Sequence, residues 1–388
     1  MGFKKHIRNI HKWLGLTSGL IVFIVAVTGC IFCFHDEIKD LTRKEYRFVE
    51  PQDKPYLAPS KIRANALKVL PEGAKVWLIG YTGKDRSCAA FSQDKSGEWI
   101  YVYFNPYTGR FLKSEIQSKD FFIIVEYIHL YLLLPDYIGK HIVGGATLIF
   151  IVLLITGIIQ WWPKKRKNLK ERLGVKWSAK WRRVNYDWHN VSGFYVAIIA
   201  LIVAISGLHF AYEWVGDGLY YTANLGKGDR QKEVEHPAID TTAFTQNRLS
   251  VSDYAMHYTM KKHPDHQMFW VTFPDHLHDP VETGAYPISL RYDRQSNYHF
   301  HPDTGAMLKA DPYERKSAGL KLVEMCYGIH TGQILSLPGK ILAFTASLIC
   351  AALPVTGFVI WWGRRNKKKP AQKHKKKMVA QREPELVQ

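Results

Sequence analysis

The chain alternates between long apolar stretches and polar segments. Four stretches are long enough to cross a bilayer as helices, because about 20 apolar residues span its hydrocarbon core. They lie at residues 13–34, 138–162, 187–212 and 339–362. The polar segments 35–137 and 213–338 follow the first and third stretches, and each is long enough for a small folded domain.

The two long polar segments have the same predicted content. In each, apolar and polar positions alternate before a Pro-x-Thr-Gly sequence, at Trp99–Phe104 and again at 298–300, which indicates strands joined by tight turns. Each segment also contains one candidate amphipathic helix, at 59–70 and 250–263. We therefore expect two small α+β domains between membrane-spanning helices.

The apolar stretches repeat as well. A shift of 178 positions aligns the first stretch with the third, and a shift of 200 aligns the second with the fourth. The predicted fold class is an α-helical membrane protein with four transmembrane helices in a duplicated arrangement. The aligned positions are His11 with His189, Gly15 with Gly193, Thr28-Gly29 with Ser206-Gly207, Thr156-Gly157 with Thr356-Gly357, and Trp161-Trp162 with Trp361-Trp362.

The formal net charge of +19 is concentrated in three places: the N-terminus, residues 163–183 and the tail after Trp362. Elsewhere basic and acidic residues nearly balance. Because positive loops stay in the cytoplasm, both termini are predicted to be cytoplasmic and both long polar segments to lie outside. The basic tail fits anionic lipid headgroups better than a nucleic acid, so membrane lipid is an expected partner and nucleic acid is not.

Together these patterns predict the following order of segments: cytoplasmic N-terminus 1–12; first span 13–34; periplasmic domain 35–120; interfacial helix 121–137; second span 138–162; basic cytoplasmic loop 163–186; third span 187–212; second periplasmic domain 213–317; interfacial helix 318–338; fourth span 339–362; basic cytoplasmic tail 363–388.

Four of the 17 histidines are related by the repeat. His11 and His189 begin the first and third spans, and His129 and His330 precede the second and fourth. The duplication thus gives one histidine pair near each membrane face. Two imidazoles facing each other across a bundle are what a bis-histidine b-type haem needs. Gly15 and Gly193 follow their histidines by four residues on the same helix face and either open a slot for the ring or allow close helix packing.

Three further histidines near the spans are possible substitute ligands: His209, His35 and His141. His209 ends the third span, but it lies about 30 Å along the helix from His189, so the two cannot share one metal. His35 and His141 have no histidine partner in the repeat. Each of the three could replace an outer ligand or contact water at the interface.

Several other kinds of site are excluded or weak. The chain has no Ser-His-Asp elbow, phosphate loop, GxGxxG or HExxH motif, so it offers no hydrolase, flavin or nicotinamide site and no catalytic residue is predicted. Five cysteines form no disulfide framework. Cys30 and Cys33 lack the adjoining histidine of a c-type haem attachment. His276-x-His278 is read as a surface pair.

The motifs around the repeat-related histidines and at the ends of the apolar stretches resemble those of the PepSY-associated transmembrane family. This family includes iron-regulated inner-membrane proteins and periplasmic ferrisiderophore reductases. The resemblance covers nearly the whole chain except the basic tail. It implies two periplasmic PepSY-like domains and two b-type haems that carry electrons outward. The residues that carry it are His11-Lys12-Trp13-Leu14-Gly15, Thr28-Gly29, His129, Gly157 with Trp161-Trp162-Pro163, Asp187-x-His189, His330 and Thr356-Gly357.

The resulting hypothesis is a haem-dependent oxidoreductase of the inner membrane that reduces a periplasmic ferric chelate such as a ferrisiderophore, as part of iron uptake. His11 and His189 would ligate the cytoplasmic-side haem, and His129 and His330 the periplasmic-side haem. The electron donor would be a quinol or a cytoplasmic reductase. Aromatic residues near the outer haem would help to dock substrate: Tyr127, Tyr131, Tyr327 and Trp214. The alternatives are a membrane-anchored PepSY regulatory or binding module without redox activity, and a haem transporter.

Overall fold

A computed structural model describes residues 2–163, 169–239, 248–276 and 278–365. The helices are α1 Phe3–Cys33, α2 His35–Thr42, α3 Lys44–Arg47, α4 Pro59–Val69, α5 Phe121–Tyr131, α6 Asp136–Trp161, α7 Leu169–Arg172, α8 Trp181–Ala211, α9 Glu213–Ala223, α10 Arg230–Val234, α11 Arg248–Lys262, α12 Ala318–Glu324, α13 Cys326–Thr331 and α14 Ser336–Arg365. The strands are β1 Lys75–Tyr81, β2 Cys88–Gln93, β3 Trp99–Phe104, β4 Phe111–Ile116, β5 Met268–Thr272, β6 Val281–Tyr286, β7 Ser296–Phe300 and β8 Met307–Asp311.

Within the described residues, α1, α6, α8 and α14 are the four helices that are long and apolar enough to cross a membrane. Helices α1 and α8 begin before the apolar stretches predicted from the sequence, because the basic residues that precede each stretch continue the helix. The predicted basic tail after residue 365 and residues 164–168 of the basic loop lie outside the described residues.

The four long helices form a closed bundle in which α1 and α8 each pack against both α6 and α14. Small side chains fill its centre; Ala200 and Ala346 are buried there beside Cys350. Large apolar side chains point outward, and Leu20 and Ile198 are each 70% exposed. An apolar core inside an apolar surface is the arrangement expected of a bundle surrounded by lipid.

The two ends of the bundle are chemically different. At one end, Lys4 Nζ lies 2.7 Å from the carbonyl oxygen of Trp162, and the Arg364 guanidinium lies over the ring of Tyr186. We call this end the basic side. The other end, where α1 and α8 finish and α6 and α14 begin, carries the sheet and is called the sheet side.

On the sheet side, the eight strands form one antiparallel sheet in the order β4-β3-β2-β1-β5-β6-β7-β8. The two polar segments meet at its centre, where β1 pairs with β5 from Leu78 opposite Thr272 to Tyr81 opposite Phe269. Helices α4 and α11 bury Ile62 and Ala255 in the core formed with the sheet. The two predicted outer segments therefore share one sheet and one core.

Ion pairs connect the end of α1 to the sheet through α2 and α3. Asp40 accepts hydrogen bonds from Arg47 Nε at 2.6 Å and from Arg86, which precedes β2. Asp120 pairs with Lys39 at 3.2 Å and with Arg43, and its carboxylate also caps α5. Because α5 carries His129, this network sets the position of one candidate site residue relative to the sheet.

We expect this network to make the fold sensitive to acid. Burial would raise the pKa of Asp40, but hydrogen bonding and charge from Arg86 and Arg47 outweigh burial and lower it; Lys39 and Arg43 likewise outweigh burial at Asp120. A carboxyl whose pKa is lower in the folded state contributes stability that is complete above its unfolded pKa, about 3.9, and is lost as pH falls through the folded pKa. Thermal unfolding in detergent should therefore begin to weaken as the pH is lowered towards 4 and weaken further below it.

The matching variant is Asp40→Asn, which leaves two buried guanidinium groups with a neutral partner. It should destabilise the protein by about 1–3 kcal/mol at pH 7 and flatten the acid dependence below pH 4. Glu72→Gln, at an exposed carboxylate, serves as the control and should change neither property. An unchanged acid profile in Asp40→Asn would exclude this network as its cause.

Candidate functional site

The two basic-side histidines bind to threonines on neighbouring helices. His11 Nδ1 lies 2.9 Å from Thr156 Oγ1, and His189 Nδ1 lies 2.8 Å from Thr356 Oγ1. Each threonine hydroxyl also donates its hydrogen to the carbonyl four residues earlier in its own helix, at 2.7 and 2.9 Å. The hydroxyl oxygen is thus left as an acceptor for the histidine, so Nδ1 is the protonated nitrogen of each ring.

His129 makes the equivalent contact on the sheet side. From α5, its Nδ1 donates to the carbonyl oxygen of Val25 in α1 at 2.9 Å and lies 3.2 Å from Thr28 Oγ1. Because a carbonyl oxygen can only accept, this bond requires the hydrogen to be on Nδ1. The lone pair of the ring is therefore on Nε2.

His330 repeats this geometry from α13 against α8. Its Nδ1 donates to the carbonyl oxygen of Val203 at 2.9 Å and lies 3.4 Å from Ser206 Oγ. The rings of His330 and His129 approach each other, with centroids 5.9 Å apart and planes at 65°. The two rings are thus direct neighbours.

A glycine lies against each of the four histidine rings. In the sequence, this glycine directly follows the threonine or serine that contacts the same ring. A Cβ atom built on Gly207 would clash with the histidine Cε1 atom, and one on Gly29 or Gly357 would be tight against it, so these three rings pack directly on helix backbone; one on Gly157 would make an ordinary contact with its histidine. The distances are 3.3 Å from Gly29 to His129, 3.5 Å from Gly157 to His11, 2.7 Å from Gly207 to His330 and 3.3 Å from Gly357 to His189.

Two more glycines hold the helices that carry the sheet-side histidines. A Cβ on Gly139 would lie 2.2 Å from the carbonyl oxygen of Tyr131, and one on Gly339 would lie 2.1 Å from that of Gly332. Only glycine allows this approach of the starts of α6 and α14 to the chain just after His129 and His330. These contacts fix the positions of both histidines along the axis of the bundle.

The four histidines therefore form two pairs at opposite ends of the bundle. His11 and His189 are near enough for their charges to interact, and His129 faces His330. Along α1, His11 is about 25 Å from Thr28, which contacts His129. In each ring Nδ1 is hydrogen-bonded to the protein. A bond of this kind, to the nitrogen that does not bind the metal, fixes the tautomer and the orientation of a metal-ligating histidine.

The other histidines considered from the sequence have different surroundings. His35 stacks on Phe32, with centroids 4.1 Å apart, and its Nε2 lies 3.4 Å from Asp36. His141 stacks on Tyr212. His209 packs against α9, where a Cβ on Gly216 would lie 2.7 Å from its Nδ1. These contacts give each of the three rings a packing partner other than His129 and His330.

Gly15 and Gly193 lie opposite leucine side chains. A Cβ at Gly15 would be 3.8 Å from Leu153, and one at Gly193 would be 3.5 Å from Leu353. Both distances are ordinary van der Waals contacts, so helix packing accommodates these positions. Their predicted role beside a cofactor stays a prediction.

Cys30 and Cys33 lie in helix packing. The Cys33 thiol donates to the carbonyl oxygen of Lys340 at 3.2 Å, and that of Cys30 to the carbonyl oxygen of Phe344 at 3.6 Å. Both contacts join α1 to α14. All five cysteines are free and buried.

The proposed docking aromatics differ in exposure. Tyr127 and Trp214 are 50% and 60% exposed. Tyr131 contacts Tyr127, whereas the ring of Tyr327 packs against Tyr292. Tyr127 and Trp214 are thus the two of this set most available to a partner in solution or lipid.

Sequence reasoning used the Thr-Gly and Ser-Gly steps as repeat markers and missed their contacts with the histidines. The signal was present, since four repeat-related steps of this kind lie near span ends and four histidines are repeat-related. The sequence does not show which step pairs with which histidine, because each Thr-Gly or Ser-Gly step contacts a histidine that comes from a different helix.

These features define a membrane protein with four candidate transmembrane helices, an eight-stranded antiparallel sheet at one end and two pairs of anchored histidines. The family model described as the PepSY-associated TM region matches residues 8–364. The chain therefore belongs to this family. A comparison with curated proteins found no match.

Proposed function

We propose that this protein is a b-type cytochrome of the bacterial inner membrane that holds two haems and reduces a ferric chelate, such as a ferrisiderophore, outside the membrane. The observation that carries the proposal is the shared anchoring of His11, His189, His129 and His330. Each ring donates from Nδ1 to a fixed acceptor and keeps its lone pair on Nε2, and the four lie as two pairs.

The residues fit the cofactor on several counts. Neutral imidazole with a lone pair on Nε2 is the form that binds haem iron. Hydrogen-bonded Nδ1 atoms hold the rings against rotation, and the four glycines let the rings sit close to the backbone. The centre of the bundle is apolar. When bound, each haem would supply a one-electron couple between ferric and ferrous iron.

The two pairs suit electron transfer from one membrane face to the other. Two histidines on each iron would leave no open position, which would favour outer-sphere electron transfer over oxygen chemistry. Because basic loops remain cytoplasmic, the His11–His189 pair would face the cytoplasm, with both termini there, and the His129–His330 pair would face the periplasm. The donor would be a quinol, which releases two electrons and two protons, or a cytoplasmic reductase.

The sheet side would receive the ferric chelate. Each electron converts one ferric ion to ferrous iron, which the hard oxygen ligands of the chelate hold more weakly, so iron is released without breaking the chelator. The shared sheet and the matched histidine contacts also support the proposed duplication into two PepSY-like units, with the site at the interface between the repeats.

The first test is the absorption spectrum and haem content of the purified protein. We expect two haems per chain and Soret and alpha bands that sharpen and shift on reduction. Ferric siderophore added to the reduced protein without oxygen should restore the oxidised spectrum, with one ferrous ion appearing per electron lost. The gallium(III) complex of the same siderophore has the same shape and does not accept the electron, so it should leave the spectrum reduced.

The outcomes separate the competing functions. Protein without haem bands would refute the cytochrome and favour a PepSY regulatory or binding module. Haem that is bound and released without a change of oxidation state would favour a haem transporter. Reduced haems that ferric chelates do not reoxidise would refute the substrate and leave the two-haem assignment standing.

A further inference from the structure

A second cluster of potential metal ligands lies in the sheet, away from the histidine pairs of the bundle. Glu282 of β6 is directly opposite His299 of β7 in the antiparallel register. His236, from the segment after α10, lies over this pair. Residues opposite each other on paired strands project from the same face, so the three side chains converge.

The ligand atoms of the three side chains all lie within 4.8 Å of one another. His236 Nδ1 is 2.8 Å from Glu282 Oε1, and His299 Nδ1 is 3.5 Å from the same oxygen. The two imidazole rings are 5.7 Å apart between centroids. Since the His236 side chain is 65% exposed, it is free to make the small movement that closes the cluster around an ion.

The buried member of the cluster supplies independent support. The His299 side chain is only 10% exposed, and the polar neighbour of its buried Nδ1 atom is Glu282 Oε1 at 3.5 Å, without a hydrogen bond of good geometry. A buried nitrogen held only by this long contact is poorly satisfied, which indicates that a further group binds there. On the far side of the ring, Nε2 lies 3.8 Å from Asp311 Oδ2.

Asp311 lies beside one nitrogen of His299 and the other two candidate ligands lie beside the other nitrogen, which is the layout of a carboxylate–histidine–metal triad with the carboxylate, at 3.8 Å, beyond direct hydrogen-bond distance. A carboxylate near one ring nitrogen orients the imidazole and makes the other nitrogen a stronger ligand. Lys309 also contacts Asp311, at 3.2 Å, and so holds that carboxylate in place beside His299. The poorly satisfied Nδ1 atom then points at Glu282 and His236.

We propose that His236, Glu282 and His299 bind a divalent transition-metal ion of the zinc type. Two imidazoles and one carboxylate are a ligand set that suits zinc and its neighbours, and hard ions such as magnesium and calcium prefer all-oxygen sites. A tetrahedral ion held by three protein ligands keeps a fourth position open. That position adjoins a cavity of about 320 Å³, lined in part by His236, Glu282 and Thr272.

The bound ion would join the segment after α10 to the edge half of the sheet. Without it, the polar contacts there are the pair of His236 with Glu282 and the hydrogen bond from Lys309 Nζ to the carbonyl oxygen of Glu235 at 3.2 Å. With it, three elements meet at one centre, so the site would stiffen the half of the sheet formed by β6 and β7.

The test is zinc binding by the full-length protein in detergent, with any affinity tag removed and metal stripped by a chelator. We expect one zinc ion per chain in competition with a chromophoric chelator, and ligand-field bands of tetrahedral geometry when Co²⁺ replaces zinc. His299→Ala and Glu282→Gln should each weaken binding by about 100-fold or more, since changes to outer-shell partners alone cost 10–100-fold. Asp311→Asn should weaken it by about 10-fold.

The control is His257→Ala, which removes an exposed histidine of α11 outside the cluster; it should bind zinc like the wild type. If His299→Ala does not fold, His236→Ala tests the same site at an exposed position. Wild-type protein that binds no zinc, or cluster variants that bind it as tightly as the control, would show that these residues form an ion pair only. Neither result bears on the haem content, which is measured separately.

Discussion

Replacing His330 with alanine is expected to remove about half of the haem and to leave the other half with an unchanged spectrum. His330 is one of two facing imidazoles on the sheet side, and its loss leaves His129 with an empty position opposite. The basic-side pair has its own anchors on Thr156 and Thr356 and should keep its haem. The measurement is haem per chain, together with a redox titration that resolves the two couples.

The matched variant is His189→Ala, which should remove the other half and the other couple. His209→Ala is the control, because this ring packs on α9 near Gly216; it should keep both haems. Full haem in both His330→Ala and His189→Ala would refute the ligand assignment. Loss of haem in His209→Ala with full retention in His330→Ala would transfer the outer site to His209.

The four spans could be predicted from sequence because their signal is local. An uninterrupted apolar stretch of the right length has few alternatives to a membrane helix, and a shift of 178 or 200 positions relates matching stretches. The shift of 178 selected His11 with His189, and the shift of 200 with one inserted residue selected His129 with His330; the structure brings these four together as two pairs. Whether they hold haem stays a prediction.

The joining of the two outer segments could not be predicted in the same way. Strand β1 pairs with β5 across nearly half of the chain, from Leu78 opposite Thr272. Alternation of apolar residues marks a strand and its buried face, but it contains no information on which distant strand lies beside it. The sequence therefore indicated two small domains where the chain builds one sheet.

The His236–Glu282–His299 cluster was missed for a related reason. Glu282 and His299 come together through the register of β6 with β7, and His236 is brought over them by a separate segment. The sequence drew attention to His276 and His278 instead, because they are close along the chain, and both are exposed. Spacing along the sequence identifies ligands that lie on one secondary-structure element. It does not identify ligands that come from three separate elements.

The second large effect is expected from adding a single methyl group at Gly207. A Cβ there would lie 2.7 Å from His330 Cε1, closer than side chains normally approach, and the ring is confined on its other side by His129. In Gly207→Ala the ring must move away from Val203 and Ser206. We expect a steric cost of about 1–3 kcal/mol, which weakens sheet-side haem binding by about 5-fold to 150-fold and shifts the potential of that haem alone.

Gly157→Ala provides the matched control, because its added Cβ would lie 3.5 Å from His11 Cε1, an ordinary contact. Both substitutions exchange glycine for alanine within a helix, which by itself favours the helix by about 0.5–1 kcal/mol. Any loss in Gly207→Ala that is absent in Gly157→Ala therefore reports the contact with the histidine and not the helix. Equal haem content and equal potentials in the two variants would show that the position of the His330 ring does not depend on Gly207. The close packing of histidine on glycine would then not explain how the site is built.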